Sequence, residues 1–454
     1  MKKVLFVSIN SSWSHSPLAL YYMRAMLEEA ERRSEILNYT LKDEPGSVID
    51  TIIARQPEVL CFSVYIWNRL YWEELIPLLM SLDPELILVC GGPEAGNLSE
   101  NTPEGFPLYA VTGPGETAFQ SLVQSDFTLP FGNIYEPNLP LAEIPFPYTL
   151  EDKPDLMGKL VYYETGRGCP FSCVYCLSAN DTRREKRFDA DDPAQVSRLY
   201  SELDILVALE PRTIKFVDRS FNTDKKLARL IWSYFIHLNK DCVSHFEIYP
   251  DLLTDEDIEL LRQAPPDRIR FEIGIQTVNP ATMLLSRRSS DWKRSKAMLI
   301  RLRRETKLII HSDLLIGLPG DNFDSILHSL DELIVTEPHE LQLGLLKILP
   351  ETPMRDIARE RGYIWEELPP YTVLRSDALS ESEIACLESL SRALNLYYNK
   401  GEFIEQWHSL LSREQGSAVL MRLVGYHSEN QIPLHSMPKQ QRRDVFLCVN
   451  NLQS

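Results

Sequence analysis

Cysteine is scarce in this sequence, with eight among 454 residues, too few and too scattered for the disulfide framework of a small secreted scaffold. Long apolar runs are missing as well. No stretch approaches the roughly 18 continuous apolar residues that cross a bilayer. The run after the two lysines of MKKVLFVSINSSWSHS is too short for the apolar core of a secretory signal and reads as a first β-strand. Positive charge is in deficit: 47 Lys and Arg face 65 Asp and Glu, for a net charge of −18. That balance argues against a general electrostatic grip on nucleic acid and leaves a small molecule or a protein as the expected partner. There is no fixed-period repeat and no low-complexity tract. These absences place the chain among cytoplasmic proteins with reduced thiols, and 44% hydrophobic content supplies buried cores for two or three domains.

What is present is alternation. Up to about residue 130, apolar strands such as VLFVSI (4–9), VLCFSVYI (59–66), LILVCGG (86–92) and LYAVTG take turns with helical patterns such as LALYYMRAMLEEAE (18–31) and YWEELIPLLMSL. Continuous apolar strands between amphipathic helices predict a doubly wound parallel sheet over residues 1–138. The Pro-rich stretch LPLAEIPFPYTLEDKP (139–154) interrupts both periodicities and marks a boundary. From 155 to 350 the alternation resumes through KLVYYETG, TIKFVDRSF, VSHFEIYP, RIRFEIGIQ, KLIIHSDLLIG and ELQLGLLKIL. Six strand-helix units predict a partial (βα)6 barrel rather than a second open sheet, although periodicity alone does not separate the two. Residues 351–454 read as a small, mostly helical region.

Three of the eight cysteines stand together in GRGCPFSCVYCLS (166–178), at Cys169, Cys173 and Cys176, just after the first strand of the second region. The C-x-x-x-C-x-x-C spacing brings three thiolates to one side of a short loop. Three sulfurs can hold three irons of a 4Fe-4S cube and leave the fourth iron open. Zinc would want a fourth ligand, and no second Cys-x-x-Cys pair or His-rich tract lies downstream. The remaining reading, small buried core residues, suits poorly a loop flanked by Gly168 and Pro170.

The stretch GRGCPFSCVYC, with Tyr175 before its last cysteine, resembles the signature of radical S-adenosylmethionine enzymes. That resemblance implies a partial (βα)6 barrel, a 4Fe-4S cluster on Cys169, Cys173 and Cys176, and S-adenosylmethionine chelating the open iron and cleaved to a 5'-deoxyadenosyl radical. It places Tyr175 near the adenine. TIKFVDRSFN resembles a second-strand motif of the cobalamin-type members, with Asp218 and Arg219 near the methionine moiety. FEIGIQTVNPATMLLSRR resembles their E-x-G-x-Q-S-x-N segment, which assigns Glu272, Gln276 and Arg288 to S-adenosylmethionine or its surroundings. DLLIGLPGDNFDS resembles their D-L-I-x-G-L-P-G-E segment, with Asp321 in place of Glu, and Thr277 stands where the previous motif has Ser.

The first domain resembles the cobalamin-binding domain that precedes the barrel in one large subclass. VCGGPEAGN (89–97) and VTGPGETAF (111–119) match loops along the corrin's nucleotide tail, which implies cofactor contact at Gly91, Gly92, Pro93, Glu94, Gly113, Gly115 and Glu116. Glycines at the carboxyl ends of parallel strands let backbone approach a ligand. Carriers that ligate cobalt through histidine show D-x-H-x-x-G; this chain has Trp13 for Asp and Leu18 for Gly around His15. With no Asp to orient the imidazole, the expectation is contact through the 10–17 loop, with Asn10, Ser14 and His15 facing the cofactor, and no cobalt ligation by His15. LQLGLLKILPETPMRDIARERGYIWEELPPYTVL resembles the carboxyl-terminal module of an uncharacterised group of these proteins and is expected to cap the barrel. The resemblance as a whole implies a methyltransferase that uses a 4Fe-4S cluster, S-adenosylmethionine and cobalamin on a small molecule or peptide, served by an electron donor such as flavodoxin or ferredoxin. The alternatives are a cobalamin-dependent cyclase, rearrangement enzyme or oxidase that transfers no methyl, and a non-catalytic binding or sensing module, which needs no open iron.

Overall fold

Mostly apolar runs make β1 (Val4–Asn10), β3 (Val59–Ser63) and β5 (Leu108–Val111), and every residue of these three strands is buried. Such runs suit strands covered on both faces. With β2 (Ile36–Thr40), β4 (Ile87–Gly91) and β6 (Gly132–Ile134) they form a parallel sheet in the order β2-β1-β3-β4-β5-β6. The sequence expectation did not include β6, whose three residues carry too little pattern to be seen. Leu5, Val7, Ile52, Phe62, Trp72 and Leu88 build the core between one face of this sheet and its helices, with the Phe62 and Trp72 rings stacked at 4.0 Å. Chain direction from the sheet centre reverses between β1 and β3, both of which are followed by loops at their carboxyl ends. Parallel sheets bind ligands at such a reversal.

The computed structural model describes residues 2–27, 34–137, 139–181 and 183–451. The helix expected over 18–31 runs from Leu18 to Ala25, while residues 28–31, and Asn138 at the expected end of the first domain, lie outside the described residues. Two compact units divide the chain, one of Met1–Gly166 with Glu185–Lys215 and one of Arg167–Arg184 with Phe216–Ser454.

The first unit holds the parallel sheet, the Pro-rich connector, β7 (Leu160–Tyr163) and helix Pro193–Ala208. The connector is tied down by charge. Arg24 Nη2 donates to both carboxylate oxygens of Asp152 at 2.7 Å. Arg187, fully buried, donates from Nη1 to the carbonyls of Leu141 and Ile144 at 3.3 and 3.0 Å and pairs through Nε with Glu202 at 3.0 Å. A buried pair of this kind specifies a path for the chain more than it adds stability.

After β8 (Thr213–Phe216) the second unit supplies β9 (Val243–Glu247), β10 (Ile269–Gln276), β11 (Ile309–Ile316) and β12 (Glu340–Leu345), parallel neighbours in that order. The six strand-helix repeats expected between 155 and 350 are all present. Burial alternates along β10 and β11. Ile269, Phe271, Ile273 and Ile275 are covered, and Arg270, Glu272, Gly274 and Gln276 form the opposite, partly open face. This is the pattern of a barrel wall with an apolar outside under helices and a polar inside. Beyond residue 351 the chain is helical, as expected, except for a short antiparallel hairpin of Ile364–Trp365 and Val373–Arg375. Helix Glu381–Tyr397 and the turn after it lie along β12: Asn399 Oδ1 accepts from Leu341 N at 2.9 Å, Asn399 Nδ2 donates to Leu341 O at 3.0 Å, and Ser391 Oγ donates to Leu343 O at 2.7 Å.

Candidate functional site

In the second unit the cysteine loop is closed by Cys169 N donating to Asp181 O at 3.0 Å. Gly168 makes the closure possible: its φ is +85°, and a Cβ there would stand 2.7 Å from Asp181 O. The middle of the loop is clamped where Val174, fully buried, donates from N to Ser286 O at 3.1 Å and accepts at O from Met354 N at 2.9 Å. All eight cysteines are free. Cys61, Cys90 and Cys242 are buried, and burial pushes their thiols up, Cys90 to about 12 and Cys242 to about 11. Cys169 and Cys176 are half-exposed. Burial pushes the Cys173 thiol up as well, opposed by the positive charge of Arg288 and a hydrogen bond with Tyr175. Among the described residues no three His, Cys, Asp or Glu side chains converge as a ready-made metal site, and that includes these thiols.

Around the loop the structure gathers several residues singled out in the sequence. Arg288 Nη1 lies 3.4 Å from the Tyr175 hydroxyl, Nη2 donates to Gly274 O, and the guanidinium sits over the Tyr249 ring with 5.2 Å to its centroid. Tyr175 and Arg288 are thus partners. Gln276, at the end of β10, has φ +70° beside a break in the β10–β11 register, and a Cβ on Gly274 would meet Gln276 Nε2, so the glycine leaves that amide its room. Gln276 Oε1 and Arg288 Nε are both buried without a hydrogen-bond partner. Polar atoms buried and unsatisfied are costly and mark places a ligand completes. Glu272 Oε2 is 3.1 Å from His245 Nε2, and His311 Nε2 is 3.1 Å from Asp313 Oδ1 on the same polar strand face. Burial works against the His311 charge, but Asp313 and its neighbouring carboxylates leave its pKa raised. Asp218 is buried in the loop after β8 and Arg219 pairs with Glu247 at 3.6 Å. The next residue, Ser220, places Oγ 3.8 Å from Cys169 Sγ. Sequence reasoning passed over Ser220, and also Asn222, whose amide accepts from Tyr249 N at 2.9 Å and donates to Tyr249 O at 2.8 Å.

In the first unit the glycine turns lie at the carboxyl ends of β4 and β5. Gly92 has φ +110°, and a Cβ would fall 2.6 Å from Val64 O, so the Gly91–Glu94 turn presses on the end of β3 as only glycine can. Pro93 follows in the turn, and Glu94 is 2% exposed with Arg69 Nε 3.5 Å from its carboxylate. Gly113, φ +77°, packs under the Tyr135 ring, and Gly115 precedes helix Glu116–Gln124, with Glu116 buried at its start. Asn68, which the sequence reading missed, is fully buried and donates to Ile9 O and Ser63 O at 2.9 and 3.0 Å, joining the ends of β1 and β3. An asparagine five residues past a buried strand was the available signal. Asn10 accepts from Ser8 Oγ at 3.1 Å, and Ser14 Oγ is 2.8 Å from Ser12 Oγ. His15 Nδ1 is 2.6 Å from the Tyr162 hydroxyl. Burial lowers the His15 pKa, helped by Lys215 and Arg212, so the ring is neutral near neutral pH.

The Radical SAM superfamily matches residues 163–333, the B12 binding domain residues 4–123, and a protein family of unknown function residues 359–447. Among curated proteins, the cobalamin-dependent radical SAM methyltransferase TokK of Streptomyces tokunonensis is 22% identical over 85% of this chain and 61% of its own length. A 2-(S-pantetheinyl)-carbapenam-3-carboxylate methyltransferase of Streptantibioticus cattleyicolor is 22% identical over 81% of this chain and 58% of its own length. The chain therefore spans about six tenths of these relatives. Among solved structures, the cobalamin-dependent S-adenosylmethionine radical enzyme OxsB, with aqua-cobalamin and S-adenosylmethionine bound, covers 100% of this chain and 76% of its own at TM-score 0.68 and 13% identity. The radical S-adenosylmethionine methyltransferase TsrM of Kitasatospora setae covers 80% of this chain and 77% of its own at TM-score 0.62 and 17% identity.

Proposed function

The chain belongs to the cobalamin-dependent radical SAM family, and from that premise we propose that it is a methyltransferase acting on an unactivated carbon or phosphorus centre of a small molecule or peptide. Its cofactors are the family's: a 4Fe-4S cluster, S-adenosylmethionine and cobalamin. When bound, the cluster and S-adenosylmethionine supply hydrogen abstraction and the corrin supplies a methyl carrier. We assign residues 1–138 to cobalamin, 155–350 to the radical chemistry and 351–454 to a cap.

The donor set fits. Cys169, Cys173 and Cys176 are free thiols on one loop, two of them half-exposed, and they would hold the cluster. Burial leaves the Cys173 thiol above its usual range, and the Arg288 charge beside it offsets part of that rise. Gln276 Oε1 and Arg288 Nε, buried and unpartnered beside Gly274 O, are the observation that carries the reading. They offer one acceptor and one donor to a polar ligand, and Tyr175, Asp218, Arg219 and Glu272 complete that ligand's surroundings. Asn10, Ser14, His15, Gly91, Gly92, Pro93, Gly113, Gly115 and Glu116 form the corrin's loops, with Glu94 bracing its turn through Arg69. An electron donor such as flavodoxin or ferredoxin would reduce the cluster. Among the described residues no helix is long and apolar enough to cross a membrane.

The test is anaerobic reconstitution with iron, sulfide and cobalamin, followed by S-adenosylmethionine and a reductant. Release of 5'-deoxyadenosine is expected. S-adenosylmethionine recovered intact from cluster-loaded protein would sink the radical reading, and 5'-deoxyadenosine without methyl incorporation into any product would sink the methyl transfer.

A further inference from the structure

His15 lacks the aspartate that orients a cobalt-binding imidazole, and on the sequence alone that argued against ligation. The structure supplies a different holder. Tyr162, on β7, brings its hydroxyl 2.6 Å from His15 Nδ1, across 147 residues of sequence. The two rings lie 9° from parallel with centroids 6.0 Å apart.

Backbone fixes both partners. Leu160 N donates to Ser14 O at 2.7 Å and Ser16 N donates to Leu160 O at 3.2 Å, a parallel bridge centred on His15. Asn10 Nδ2 approaches His15 O at 3.4 Å, and the Tyr148 hydroxyl donates to Tyr162 O at 2.6 Å. The imidazole therefore has little freedom to turn. Its other nitrogen, Nε2, makes no hydrogen bond with any described residue.

One ring nitrogen held by a neighbour and the other presenting a lone pair is the arrangement a metal-binding histidine needs. When Nδ1–H donates to the phenol oxygen, the lone pair is on Nε2. The segment that carries His15 leaves the carboxyl end of β1, beside the reversal in strand order between β1 and β3 where a parallel sheet takes its ligand. A brace between this segment and β7 needs no unengaged nitrogen.

We propose that His15 binds the cobalt of cobalamin through Nε2, and that Tyr162 does for this imidazole what an aspartate does in D-x-H-x-x-G carriers. The proposal rests on the reading of the first domain as a cobalamin site, and the experiment keeps the two apart. Full-length protein is loaded with cob(II)alamin, its cobalamin content is measured optically, and its paramagnetic resonance spectrum is recorded with natural and 15N-labelled histidine. The expected spectrum carries a nitrogen triplet that becomes a doublet on labelling. His15→Ala should keep cobalamin and lose the splitting. Tyr162→Phe should keep cobalamin and show the histidine-split signal in only part of the population, since loss of such a partner weakens metal binding about 10–100-fold. A spectrum that labelling leaves unchanged, or one split alike in wild type and His15→Ala, overturns the ligation while the cobalamin reading stands. Protein that retains no cobalamin overturns both.

Discussion

A single methyl group separates Gly92 from alanine. Its φ of +110° and the 2.6 Å approach to Val64 O leave no place for a side chain, so Gly92→Ala should cost about 1–3 kcal/mol in stability through backbone strain and a forced shift of the turn. Denaturant unfolding compares the two proteins, and equal midpoints would contradict the close approach. At the cysteine loop, joint replacement of Cys169, Cys173 and Cys176 by Ala should abolish bound iron and the brown colour after reconstitution; iron near the wild-type content would refute the assignment. The three cysteines were legible because their information is local, three thiols within eight positions. Tyr175, Gln276 and Arg288 were legible only through family resemblance, and that resemblance did not reveal that Tyr175 and Arg288 touch each other across 113 residues. Asn222 and Tyr162 were invisible because their partners lie 27 and 147 positions away, and the local sign at Asn68 did not reveal its bond to Ile9, 59 positions away. An asparagine or tyrosine taken singly says nothing of such a partner.

Strand ends are held in register by short polar links. Asp321, 1% exposed after β11, accepts from Ser325 Oγ and from Asn279 Nδ2 at 3.4 Å, which ties the turn after β11 to the loop after β10. Burial raises its pKa, opposed by hydrogen bonds from Ser325, Thr277, Asn279 and Thr282. A carboxyl raised by folding contributes its stability below the unfolded value and loses it as pH rises through the folded value. Relative to Asp321→Asn, which does not titrate, the native protein should therefore lose stability as the pH rises above about 4, the unfolded carboxyl value. Thermal melts at a series of pH values measure this, and a difference that stays flat or grows in favour of the native protein would contradict it. At this scale the sequence was a good guide wherever a strand was long: β1, β3, β10 and β11 announce themselves by period and apolar content. It was silent on β6 and on the hairpin at 364–375, whose strands of two or three residues hold no period.

For the molecule as a whole the proposed function needs all three cofactors, and loss of one should not mean loss of the others. Protein purified without cobalamin should bind S-adenosylmethionine with little change and lose methylation of its substrate. Calorimetry and product analysis separate the two outcomes, and methylation that persists without cobalamin would overturn the proposed reaction. The sequence carried the order of the parts, since a Pro-rich connector and a change of pattern are visible along the chain. It did not carry the finding that the carboxyl-terminal helices share one compact unit with β9–β12, because that depends on contacts such as Asn399 with Leu341. Those contacts bear on solubility. An outermost strand with idle backbone groups is a template onto which a second chain can add, the first step toward aggregates. In β12, Leu341 N, Leu341 O and Leu343 O are already occupied by Asn399 and Ser391. A protein cut back to residue 350 would bare that row, and its fate in concentrated solution should be precipitation rather than a smaller working enzyme.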